Sequence, residues 1–123
     1  MFYKIRINHL TKRRTYIGEL EEVVLLTVAL LYNEAYGVAI THEIKSQTGR
    51  NISISAVHAT LHRLSEKGYV NSRMRGATAE RGGRRKRFFT VTPAGSRILH
   101  DIQQTREQLW QQIPAQALQW KML

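Results

Sequence analysis

From Ser53 to Gly68 the chain reads Ser-Ile-Ser-Ala-Val-His-Ala-Thr-Leu-His-Arg-Leu-Ser-Glu-Lys-Gly, and this stretch limits the fold more than any other. Ile54, Val57, Leu61 and Leu64 recur at spacings of three, four and three, which predicts one apolar stripe along an α-helix. Ser53 is a suitable N-cap and Gly68 a suitable stop. If that stripe is buried, Ser55, Ala56, Ala59, His62 and Arg63 face outward, with His58 and Thr60 on the flanks. A helix with one narrow apolar stripe needs other elements to cover it.

The flanking sequence supplies them. Glu19, Glu21 and Glu22 put negative charge at a helix start, and Leu20, Val23, Val24, Thr27, Leu30 and Leu31 follow at helical spacing, predicting a first helix over 19–32. Leu25, Leu26 and Val28 fill its other face, so burial on both sides is expected, with a second copy of the chain covering one of them. Tyr36, Ala39, Ile40 and Ile44 predict a second helix over 36–48, closed by Gly49. After the third helix, residues 69–75 and 84–92 read as two strands around a glycine-containing turn. Thr92 and Pro93 then open a long polar helix that Pro114 ends. Three helices, a hairpin and a helix make a mainly α, α+β fold: a winged helix-turn-helix with a two-stranded β-wing and a long C-terminal dimerisation helix. The expected division is a basic arm (1–17), a winged helix domain (18–92) and a dimerisation helix with its tail (93–123).

Charge narrows the function. The net charge is +10, and it is concentrated: residues 1–18 carry five bases and no acid, and residues 73–87 carry seven bases and one acid. Residues 19–72 carry four bases against six acids. Clustered cations raise the local potential and release condensed counterions together, as contact with a polyanion requires. The absence of cysteine excludes disulfides, thiolate zinc sites and cysteine nucleophiles. No apolar run approaches the roughly 20 residues of a spanning helix, and the first ten residues lack the apolar segment of a secretory signal, so a cytoplasmic protein with no membrane partner is expected. No phosphate-cradling loop or nucleophile with a base at diagnostic spacing is present, and an enzyme is not expected. His58, His62 and Glu66 lie at i, i+4 and i+8, a ligand spacing, but no fourth ligand accompanies them and neither metal nor cofactor is expected.

The outward face of the third helix is small at one end and polar along its length, which lets a backbone approach the major-groove floor while Arg63 or His62 donates to a base edge or phosphate. Arg81, Arg84, Arg85 and Lys86 surround the hairpin tip at Gly82 and Gly83, where glycine permits tight turning and close approach to a sugar-phosphate backbone. The same basic segments would also serve a sequence-indifferent DNA- or RNA-associated protein, and a helical module binding an acidic partner is a third class.

Tyr36-Gly37, the Ser53 to Leu64 pattern, Gly68-Tyr69-Val70, Gly82-Gly83-Arg84-Arg85-Lys86-Arg87-Phe88-Phe89 and Val91-Thr92-Pro93-Ala94-Gly95 together resemble the PadR transcriptional regulators, of the type with a short C-terminal helix. The resemblance spans about residues 18–99. It implies a homodimeric double-stranded DNA-binding regulator, by the family's habit a repressor, with the third helix in the major groove and the wing on the flanking minor groove or backbone. On that basis Tyr36, Ser53, Ala56, His58, Arg63 and Gly83 to Lys86 sit where the family contacts DNA; the helix face adds Ser55, Ala59 and His62. The chain departs from the family pattern at Ala56 and Val57-His58, so base preference does not carry over. Leu20, Val24, Leu99, Ile102, Leu109, Trp110 and Ile113 are expected at the dimer interface. Some relatives bind flat aromatic compounds in a tryptophan-lined cavity between protomers, which makes a small aromatic effector the second reading of Trp110. The arm is read as an extension that orders on DNA.

Overall fold

The computed structural model describes residues 16–76 and 85–119. They form helices α1 (Glu19–Leu31), α2 (Gly37–Thr48) and α3 (Ile54–Glu66), strands β1 (Val70–Gly76) and β2 (Arg85–Val91), and helix α4 (Pro93–Gln111), with short 3-10 turns at Tyr32–Glu34 and Ala115–Leu118. The strands pair antiparallel, from Val70 opposite Val91 to Gly76 opposite Arg85. Most of the basic arm, and Arg81, Gly83 and Arg84 at the wing tip, lie outside the described residues.

Helix ends follow local chemistry. Ser53 caps α3, its hydroxyl accepting from the Ala56 amide at 3.1 Å. Thr92 caps α4 by accepting from the Gly95 amide at 3.0 Å, with Pro93 in the first turn. Helix α2 stops at Gly49, whose φ of 76° an L side chain rarely adopts. Helix α1 ends one residue earlier than its apolar spacing predicts, because Tyr32 takes a positive φ of 55° and turns the chain into the 3-10 turn.

One core fills the space between α1, α2, α3 and the base of the hairpin. Val24, Leu25 and Val28 meet Ile40 and Ile44, then Val57, Leu61 and Leu64, with Tyr69, Val70 and Phe89 closing the far side. The structure corrects three expectations. Leu25 and Val28 belong to this intrachain core and not to an outer face, because α1 packs on α2 and α3 together. Val24, expected at a dimer interface, has no accessible surface and cannot touch a partner. In α3, Ile54 is 39% exposed at the rim, beside Gly37, while Thr60 is fully buried. Thr60 tolerates burial because its hydroxyl donates to the Ala56 carbonyl at 2.8 Å, leaving only its methyl to the core.

Candidate nucleic-acid interface

Much of the outward face of α3 lies as its spacing predicts, with Ala56 and Thr60 the departures. Ser55, His58, Ala59, His62 and Arg63 are exposed, and Ala56, whose amide bonds the Ser53 cap, is half-buried. The ligand-like spacing resolves into a contact between His62 and Glu66 at 3.3 Å, whereas His58 turns toward α2.

His58 makes this face continuous with the wing. Its ring packs over Gly37 so closely that a Cβ there would stand 2.8 Å from Cε1 and 2.9 Å from Nε2. The preceding residue, Tyr36, is the N-cap of α2, and its ring meets Phe88 of β2 at 5.2 Å between centroids. The Lys86 ammonium sits 4.4 Å from the Tyr36 ring centroid, and the Arg75 guanidinium 3.7 Å from that of Phe88. The series His58, Gly37, Tyr36, Lys86 thus runs unbroken from recognition-type helix to wing. Backbone bonding fixes the join: the Phe89 amide donates to the Ala35 carbonyl at 2.8 Å, and Tyr36 bridges Phe88.

Within the wing, the cations divide by function. Arg75 is held by the Asn33 carbonyl, by Glu34 at 3.7 Å and by the Phe88 ring, so it braces the hairpin against the turn that follows α1. Arg87 donates to the Ser72 hydroxyl across the opposite face of the sheet at 3.0 Å. Lys86 stands directly opposite Arg75 in the register. Like charges at such a pair destabilise a sheet, and Glu34 beside Arg75 offsets part of that repulsion. Arg85 is exposed beside them.

The body of the domain carries acids that engage cations of its own. Glu21 is buried, with its Oε1 accepting from the Gly18 amide at 2.8 Å. Lys67, at the end of α3, donates to both Glu21 oxygens at 3.0 and 2.9 Å, and Arg63 Nε lies 3.7 Å from Oε2. Burial by itself pushes the Glu21 carboxyl up; the Gly18 amide, the Lys67 hydrogen bond and the charges of Lys67 and Arg63 together outweigh it and hold the group below its ordinary value. No sequence spacing signals this cluster, because its members lie up to 46 residues apart.

A second surface lies between α1 and α4. A groove of about 930 Å³ is lined by Glu22, Leu26, Leu99, Arg106, Leu109 and Trp110 among others, and Arg106 bonds Glu22 across it at 2.9 Å. Leu109 and Trp110 are 62% and 66% exposed, and Leu26 and Leu30 of α1 are exposed as well. Leu20, Leu99, Ile102 and Ile113 are half-buried along the same helices.

Comparison with known proteins gives one consistent result. The family described as the transcriptional regulator PadR-like family matches residues 25–101. A transcriptional regulator of Mycobacterium tuberculosis, Rv3488, is 32% identical over 81 residues, covering 66% of this chain and 71% of that protein. Among solved structures, a PadR-like transcription factor from Bacteroides fragilis superposes with a TM-score of 0.64 at 21% identity, over 85% of this chain and 93% of that one. Bacillus subtilis PadR in complex with operator DNA superposes with a TM-score of 0.57 at 20% identity, over 85% of this chain and 49% of that one. The winged helix fold is shared with both.

Proposed function

The chain belongs to the PadR-like family of transcriptional regulators, and on that premise we propose that it acts as a homodimeric repressor that binds a pseudo-palindromic operator in double-stranded DNA. The family is one of regulators and not of enzymes. The observation that carries the reading is the unbroken series of contacts from the exposed α3 face through His58, buried Gly37 and Tyr36 to Lys86 of the wing. A helix and a hairpin presented together on one side fit a major groove and its flanking backbone. Bacillus subtilis PadR, which shares the fold, was solved in complex with operator DNA, and this supports duplex DNA as the partner.

In this reading residues 18–92 bind DNA, α4 and the tail pair protomers, and the arm before residue 18 adds a second DNA contact. The pairing is supported by the apolar exposure of Leu26, Leu109 and Trp110, because a patch of that kind on a small domain marks an interface. Half-buried Leu99 and Ile102 extend it along α4, Ile113 continues it just past that helix, and Leu20 borders it on α1. The groove between α1 and α4 is the place for a small aromatic effector that relieves repression, with Trp110 as its wall. Among the described residues no helix is long and apolar enough to cross a membrane.

Selection of bound duplexes from a random pool, read by sequencing, tests this. The expected product is a two-fold symmetric motif whose half-sites lie about one duplex turn apart, roughly 10 base pairs. Enrichment without any motif overturns it in favour of sequence-indifferent nucleic-acid binding.

A further inference from the structure

Glu21 is the one buried acid among the described residues, and both cations it touches lie on the last turns of α3. Lys67 is committed to it, donating to both oxygens and to the Tyr16 carbonyl at 3.3 Å. Arg63 is shared. Its Nε lies 3.7 Å from Glu21, its Nη2 donates to the Thr60 hydroxyl at 3.2 Å, and its side chain remains 50% exposed. Thr60 is itself immobilised by its bond to the Ala56 carbonyl, so Arg63 is anchored on two fixed points of the protein.

Resting on the DNA-binding reading above, we propose that Glu21 is a specificity-determining positioning residue, which holds Arg63 and Lys67 against the domain so that neither acts as an indiscriminate phosphate cation. A long, mobile arginine on a helix that faces DNA neutralises any phosphate within reach and adds affinity for every sequence alike. An arginine whose guanidinium is oriented beforehand loses that freedom and gains only where a base edge or phosphate stands at the right position. Lys67 is kept out of the contact altogether, and its charge is matched by the carboxylate. The net effect is to lower affinity for unrelated duplex while leaving an oriented donor for the operator.

The Glu21→Gln substitution removes the charge and keeps the shape. It is tested on the full chain by titrating an unrelated duplex over a range of salt. The expected result is a steeper dependence of log K on log salt, by about 0.9 for each cation released per protomer, with a several-fold rise in affinity at low salt. Adding Arg63→Gln to that variant is expected to return part of the change. A purely structural role for Glu21 would lower thermal stability and leave the slope where it was, and an unchanged slope overturns the proposal. Where Glu21→Gln does not fold, Arg63→Gln and Lys67→Gln in the otherwise native chain carry the test. The slope on unrelated duplex is expected to stay as in the native chain, while Arg63→Gln weakens binding to a duplex selected from the random pool. A loss of about 0.9 from the unrelated-duplex slope with either one overturns the proposal. A native chain that binds no duplex at all overturns the DNA-binding reading together with this one; native binding without the Glu21 effect overturns this one alone.

Discussion

Gly95→Ala separates helix propensity from packing by sign. Gly95 is the third residue of α4, where alanine would ordinarily be the better helix former by up to about 1 kcal/mol. A Cβ at this position, however, would stand 2.3 Å from the Tyr69 carbonyl oxygen, 2.9 Å from Val91 Cγ1 and 3.2 Å from the Tyr69 carbonyl carbon. Carbon and oxygen rest no closer than about 3.3 Å, so about 1 Å of movement is needed. The carbonyl cannot yield freely, because it accepts from the Thr92 amide at 3.0 Å while the Thr92 hydroxyl donates to the Gly68 carbonyl at 2.7 Å. Overpacking of this kind costs about 1–3 kcal/mol, and loosening the hydrogen bond about 1 kcal/mol more. After the gain in propensity the expected loss is about 2 kcal/mol, or a fall in Tm of about 8 °C for a domain of this size. Thermal unfolding followed by circular dichroism, with chain concentration held equal because any self-association shifts Tm, measures it. A variant as stable as the native chain, or more so, would refute the claim that α4 starts in direct contact with the end of the recognition unit.

Three further outcomes are expected. Ser53→Ala removes the acceptor for the Ala56 amide at the start of α3 and is expected to cost about 1 kcal/mol in denaturant unfolding, with no change in the slope m. Because the folded chain holds the Glu21 carboxyl below its ordinary value of 4.5, the stabilisation it provides is complete above that pH and drains away as the pH falls below it. The stability difference between native chain and Glu21→Gln is therefore expected to be flat near neutrality and to shrink in acid; a difference that grew in acid would contradict the geometry of the cluster. In the wing, Lys86→Gln is expected to reduce the salt slope of duplex binding by about 0.9 per protomer, whereas Arg75→Gln, already held by Asn33, Glu34 and Phe88, is expected to leave the slope alone and lower stability.

The architecture was legible because its signals are local. Apolar spacing, the Ser53 and Thr92 caps, the Gly49 and Gly68 stops and the Pro93 start each act within a turn or two of chain, and the helices and strands lie within a residue or two of where those signals place them. The errors fall where a residue's surroundings are set by distant chain. Periodicity places Thr60 on a flank, yet the bond to Ala56 lets it enter the core, and Ile54 stays at the rim although it continues the stripe. An all-round apolar α1 suggested a partner on one whole side; two neighbouring helices cover Val24, Leu25 and Val28 instead, leaving Leu26, Ala29 and Leu30 outside.

The candidate binding surface was legible as a density of positive charge and illegible as an assignment of individual cations. Seven bases within residues 73–87 announce a polyanion contact, but nothing in their order distinguishes Arg75, which braces the hairpin, from Lys86, which faces outward over Tyr36. The distinction comes from acids elsewhere. Glu19 pairs with Arg50, Glu21 with Lys67 and Arg63, Glu22 with Arg106 and Glu34 with Arg75, so the acids of α1 and its following turn engage cations after α2, at the end of α3, on β1 and on α4. Those pairs secure geometry, and the two at Glu19 and Glu34 are too exposed to contribute much stability. Among the described residues no acid pairs with Arg85, Lys86 or Arg87 of β2, so positive charge stays unmatched along that strand while the helices and β1 carry paired cations. The buried Glu21, beside Arg63 and Lys67, is the member of that partition set deepest in the domain.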